Sequence, residues 1–159
     1  MLQAGPRASS ANYLVAHASG TALDIEAAPG DFTRLYPLFP EDGVLLHTNH
    51  FLAPGTGLAR DNASTDLALW AMPSSTIRLQ RLRAAKTAGT ARTLDDFGPV
   101  LADHADYPHG ICAHPDPAAH PCEQTATIAS VLMDLTARHI WLAAGHPCQT
   151  PYEQLDIAL

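Results

Sequence analysis

Asn12-Tyr-Leu-Val-Ala-His-Ala18 is rich in strand formers and runs through Ser19-Gly20 into Thr21-Ala-Leu-Asp-Ile-Glu26. The second run alternates, with Leu23 and Ile25 on one side and Asp24 and Glu26 on the other. Two such runs around a Gly-containing turn predict a β-hairpin with one buried face and one wet face. A third strand is expected over Gly43-Val-Leu-Leu-His-Thr48, leading into Asn49-His50-Phe51 and a Pro54-Gly55 turn.

The chain then changes period. Ser74 or Ser75 can cap a helix running to about Ala88, where Gly89 stops it. Thr93-Leu-Asp-Asp96 has the form of a capping box with Asp in place of Glu. Behind it Leu94, Phe97, Val100 and Leu101 predict an amphipathic helix despite Pro99. Tyr107 to Cys122 carries four of the thirteen prolines and is expected to be a loop. Thr125–Leu135 and Ile140–Ala144 then read as two pairing strands. The order β-β-β, α-α, β-β lacks βαβ alternation, which predicts an α+β fold with antiparallel strands. The 159 residues are expected to form a single domain. Five strands with only two helices to cover them predict a sheet face or edge left open.

Composition narrows the function. The chain is 47% hydrophobic and 16% charged, enough to build a core. A formal charge of −7 argues against a general nucleic-acid or anionic-membrane binder. Apolar runs such as Ile140–Ala144 fall far short of the roughly 20 residues of a membrane span. The first twelve residues lack a basic region followed by an apolar run, so a cytoplasmic protein without a signal peptide is expected. Lys86 is the single lysine beside eight arginines, a usage expected of a GC-rich bacterial genome. Cys112, Cys122 and Cys148 are an odd number in a chain of ordinary domain size, unlike a disulfide framework.

Three clusters could carry chemistry. Asn49, within His47-Thr-Asn-His-Phe51, could donate its side-chain amide to a developing oxyanion; the alternative is a residue that closes a turn. His47 and His50 are expected to be structural or exposed. Arg78 stands one turn into the first helix and could hold a carboxylate or orient a nucleophile; the alternative is a solvated helix residue. Cys112-Ala-His114 and His120-Pro-Cys122 form a near-palindrome that could bind zinc, though its one-residue gaps differ from those of common zinc modules. A proline-braced loop with buried thiols, or a cysteine nucleophile beside one of the nine histidines, are the other readings of that segment.

Several stretches together resemble the peptidase C45 family, the acyl-coenzyme A:6-aminopenicillanic-acid acyltransferase-like proteins. They are Ser10–Gly20 with Ala22–Glu26, Leu46–Phe51, and Ser75-x-x-Arg78. Leu101-x-Asp-His104 leading to Pro108-x-Gly-Ile-Cys112, and Thr125–Leu135 with Ala144-Gly-His-Pro-Cys148, complete the set. They occur in the family's order and cover nearly the whole chain.

The resemblance implies an N-terminal-nucleophile (Ntn) hydrolase, an αββα sandwich whose precursor cleaves itself to expose a cysteine at a new N-terminus. That thiol attacks an amide or thioester carbonyl, its own α-amino group is the base, and the acyl group passes to water or an amine. It implies Asn49 as oxyanion donor and Arg78 as a polar contact near nucleophile or substrate, with no cofactor. Gly110 replaces the serine that relatives often carry before Ile-Cys, so a hydroxyl role there is lost. The processing cysteine is expected well ahead of Ser10, and Met1–Ser9 contain no Cys. The chain is therefore expected to be the C-terminal part of such an enzyme, an incomplete half of the sandwich without its nucleophile. Its expected partners are a small acyl-amide or acyl-thioester substrate and a complementing chain that bears the cysteine, or self-association through an open sheet edge. The competing expectations are an inactive truncated product and a zinc- or small-ligand-binding module.

Overall fold

The computed structural model describes residues 5–53, 71–90 and 93–156. The chain divides into two compact units, residues 1–75 and 76–159.

The first unit holds strands β1 (Ala11–Ala16), β2 (Ala22–Ala27) and β3 (Leu35–Leu38). They form an antiparallel sheet in the order β1-β2-β3, with Tyr13 opposite Ile25 and Glu26 opposite Tyr36. The hairpin turn is a β-turn closed by Gly20 N–H donating to the His17 carbonyl, with Gly20 at φ +86°. That left-handed backbone is open to glycine without steric cost. β3 contains Pro37, which is tolerated because β3 pairs, among the described residues, with β2 alone.

The hairpin's two faces are inverted relative to expectation. Asp24 and Glu26 are 0% and 1% exposed, whereas Leu23 and Ile25 are only half-buried. Tyr13 and Val15, cross-strand partners of Ile25 and Leu23, are 40% and 57% exposed. Period two separates a strand's faces but does not say which meets the rest of the chain. Here the carboxylate face is covered because the 47–53 segment hydrogen-bonds to it.

The third strand also lies elsewhere than expected. Gly43–Thr48 has no ladder; Asp42 and Gly43, at φ +51° and +75°, form a tight turn that bridges Glu41 to Val44. The segment beyond it is held by side chains from other elements instead of by strand pairing. The predicted Pro54-Gly55 turn lies outside the described residues.

Helix α1 (Ser74–Ala88) begins with Ser74 and Ser75, the last residues of the first unit, continues as part of the second from Thr76, and stops before Gly89 at φ +64°. α2 (Leu94–Leu101) begins at the expected box: the Asp96 carboxylate accepts from the Thr93 backbone N–H (2.8 Å) and hydroxyl (2.9 Å). Strands β4 (Ser130–Asp134), β5 (His139–Ala143) and β6 (Glu153–Leu155) form a second antiparallel sheet in that order. β4 is shorter than expected. Thr127 leaves the sheet to bond Ala113, its hydroxyl accepting from the Ala113 N–H at 2.9 Å and its N–H donating to the Ala113 carbonyl at 3.0 Å. Residues 107–122 contain neither helix nor strand, as their prolines predict.

Among the described residues, two helices and two three-stranded antiparallel sheets make an α+β fold. Among the described residues the fully buried apolar side chains are only Ala27, Ala28, Leu79, Cys112 and Ala143. This core is small for the chain length, and polar contacts carry much of the local order.

Candidate functional site

The first unit builds a rigid bend around Asn49 from two anchors. One is Glu26, whose carboxylate projects from β2 into the 47–53 segment. It accepts from the Leu52 N–H, from the Ala53 N–H (2.8 Å) and from His47 Nε2 (2.9 Å). A buried carboxylate is stable only when its lone pairs are used, and three donors use them.

The other anchor is Ser75, at the start of α1. Its hydroxyl accepts from the Asn49 backbone N–H at 2.8 Å and meets His50 Nδ1 at 2.8 Å and Thr48 Oγ1 at 3.1 Å. The Thr48 hydroxyl donates in turn to the Ser75 carbonyl at 3.1 Å. Ser75 was expected as a helix cap, but its hydroxyl is committed to the bend. His47 and His50, expected to be structural or exposed, both face inward: His47 meets Glu26, and His50 is buried against Ser75. Asn49 itself is exposed while His47, Thr48 and His50 are half- or fully buried. The backbone is thus held at Asn49 by Ser75 and at Leu52 and Ala53 by Glu26, with Asn49 exposed between these anchors.

The charges behind the bend are coupled. Burial raises the Asp24 carboxyl above its ordinary 3.8, opposed by His47 and the Asn12 side chain. Burial alone would lower His47, but its hydrogen bond to Glu26 and the charges of Asp24 and Glu26 outweigh this and raise it above 6.5. Asp24 Oδ2 lies 3.9 Å from His47 Nε2. Both groups bind their protons more tightly in the folded state, so their contributions are lost as pH rises through each folded value. The His47 contribution is complete below 6.5 and fades above it. A His47→Gln variant keeps a donor for Glu26 but removes the charge. The stability gap between wild type and His47→Gln, measured by thermal melts, is expected to be widest below about pH 6.5 and to shrink towards alkaline pH. A gap that widens with pH would contradict a protonated His47.

Arg78 sits half-buried on α1, and burial pulls its guanidinium below its ordinary range, though it remains a cation at any working pH. Arg81, one turn further, pairs with Asp103 through Nε at 3.1–3.2 Å. This pair lowers the Asp103 carboxyl. It lines a cleft of about 450 Å³ with Ala85, Val100 and Ile111.

The near-palindrome is divided by the fold. Cys112 and His114 come together with His104 and Cys148, while His120 and Cys122 lie outside that group. His104 and Cys148 were visible only as parts of separate family-like stretches, because the contact that unites them spans 44 positions of sequence.

A model of the acyl-coenzyme A:6-aminopenicillanic acid acyl-transferase family matches residues 1–149. The chain belongs to that family. The match runs through both units and includes Glu26, Asn49, Ser75 and the 104–148 cluster. An Ntn-type fold is consistent with this membership and with the two antiparallel sheets. No curated protein gives a significant match to the sequence. No helix among the described residues is long and apolar enough to cross a membrane.

Proposed function

We propose that this chain forms the oxyanion-stabilising part of a cysteine Ntn acyltransferase or amidohydrolase acting on small acyl-amides or acyl-thioesters. The observation that carries this is the doubly anchored bend of a family member, with Asn49 exposed at its apex. The attacking thiol comes from a cysteine-bearing segment or complementing chain. Its sulfur bonds to the carbonyl carbon while the α-amino group takes the thiol proton, and the carbonyl oxygen becomes an oxyanion facing the Asn49 amide. Collapse breaks the bond to the amine or thiol leaving group, which receives that proton. Water or an amine then releases the acyl group from sulfur. Arg78 is assigned to polar contact with the substrate or nucleophile.

Two features support dependence on a complementing chain. Among the described residues the buried apolar core is small, and β1, which pairs there with β2 alone, exposes Tyr13, Leu14 and Val15. Because the family match continues across both units, we read them as parts of one catalytic domain.

The test is reconstitution. The chain is co-expressed with a cysteine-bearing N-terminal half of a family enzyme and offered a panel of acyl-amides and acyl-thioesters. Intact-mass spectrometry is expected to show an acyl adduct on the partner's N-terminal cysteine, with release of amine or thiol, and neither from the chain alone. Complex formation without acyl adduct or turnover on any substrate would overturn the catalytic reading and favour an inactive product.

A further inference from the structure

One ring nitrogen each from His104 and His114 and the sulfurs of Cys112 and Cys148 all lie within 4.8 Å of one another in the second unit. Cys112 Sγ is 3.6 Å from Cys148 Sγ and 3.7 Å from His114 Nε2. Cys148 Sγ is 3.4 Å from His114 Nε2, and His104 Nε2 is 3.1 Å from His114 Nε2. Tetrahedral zinc, with Zn–S of about 2.3 Å and Zn–N of about 2.0–2.1 Å, sets these edges. They come to roughly 3.8 Å for S···S, 3.6 Å for S···N and 3.3 Å for N···N. The four measured distances fall close to those values, and the two remaining edges, from His104 to the sulfurs, are within 4.8 Å.

Hydrogen bonding alone accounts poorly for this packing. A neutral imidazole nitrogen either donates one proton or offers one lone pair, yet His114 Nε2 faces three partners at contact distance. A single cation satisfies all four donors at once. A disulfide would place the sulfurs about 2.05 Å apart, and all three cysteines are free thiols.

The surrounding backbone holds the donors in place. The Cys112 N–H donates to the Asp103 carbonyl at 3.1 Å, which sets Cys112 beside His104. A Cβ on Gly110 would lie 2.8 Å from that carbonyl oxygen and 3.2 Å from His104 Cα, so this approach needs glycine. The His114 N–H donates to the Pro108 carbonyl at 2.8 Å, and Thr127 clamps Ala113. The His146 ring stacks on His114 with centroids 4.1 Å apart and planes 3° from parallel. The Cys148 turn is closed by Gln149 and Thr150 N–H groups donating to the His146 carbonyl at 3.0 Å.

We propose that His104, Cys112, His114 and Cys148 form a structural zinc site that ties together three segments of the second unit. Four protein ligands close the coordination sphere, which is the pattern of structural and not catalytic zinc. Both thiols bind as thiolates, releasing their protons to solvent as zinc enters. The site does not depend on acyl-transfer chemistry, and a small-cored unit gains most from such a staple.

The full chain is purified without chelator from zinc-supplemented cells, and metal is measured by mass spectrometry. About one zinc per chain is expected, falling at least tenfold in His104→Ala and Cys148→Ser and unchanged in His120→Ala and Cys122→Ser. Thiol alkylation of the wild-type protein covers the case in which variants fail to fold. Native protein is expected to be alkylated at Cys122 alone, and at Cys112 and Cys148 as well after chelation. Cobalt exchanged into the site is expected to give the intense visible bands of a tetrahedral centre with thiolate-to-metal charge transfer. Each of three results would overturn the proposal: a wild-type protein that takes up no zinc on titration, a Cys112–Cys148 disulfide in the native protein, or zinc lost only from the His120 and Cys122 variants.

Discussion

Glu26→Ala is expected to destabilise the protein by about 3–5 kcal/mol, the cost of breaking a buried charged network by removing one partner. The carboxylate is 1% exposed and serves the Leu52 and Ala53 N–H groups and His47 at once. Truncation leaves two backbone donors and a half-buried imidazole without their acceptor, each a desolvation cost with nothing returned. Relief of the repulsion between Glu26 and Asp24 offsets part of this, because that repulsion contributes to raising the Asp24 carboxyl. Glu26→Gln should fall between the two proteins: it keeps the shape but offers one acceptor oxygen, and its NH₂ faces donors. Urea unfolding of the three proteins checks the order. A loss below about 1 kcal/mol for Glu26→Ala would mean the 47–53 segment is held by something else.

Asn49→Ala, in the reconstituted enzyme, is expected to lower kcat by about 10²–10³ with little change in KM, the signature of a donor used only in the transition state. Asn49→Asp separates this role from the competing one. Aspartate suits turns as well as asparagine does, so a turn-closing residue would tolerate the change. An oxyanion donor would not, since a carboxylate offers no proton and repels the developing charge. Near wild-type kcat in Asn49→Asp, or equal effects of Asn49→Ala on kcat and KM, would remove Asn49 from the chemistry. Because Ser75 and Glu26 fix the backbone on either side, the bend should persist in both variants.

Local signals were legible in the sequence wherever a few neighbouring residues settle the outcome. The Ser19-Gly20 turn, the Thr93–Asp96 box and the stop at Gly89 all stand where the sequence places them, because each depends on backbone preferences over three or four residues. The proline-dense 107–122 loop follows from the same kind of rule. Asn49 and Arg78 stood out as candidates from residue type and family-like context. Ser75 and Glu26 did not, since nothing local says that a serine near a helix start and a carboxylate on a strand converge on one bend.

What the sequence by itself determined is therefore the α+β class, the first hairpin, the two helices and the β4–β5 pair in their order, and the family stretches that run from residue 10 to 148; it misplaced β3 and did not foresee β6. Tertiary structure alone decided which face of β2 is buried, because a period of two is blind to what packs above it. It also decided that Leu45–Thr48 is anchored by side chains and not by a ladder. It decided, too, that Cys112 and His114 join His104 and Cys148 instead of His120 and Cys122. Spacing marks candidate donors within one loop, but His104 and Cys148 stand 44 positions apart, and only folding brings them to the same pair of residues.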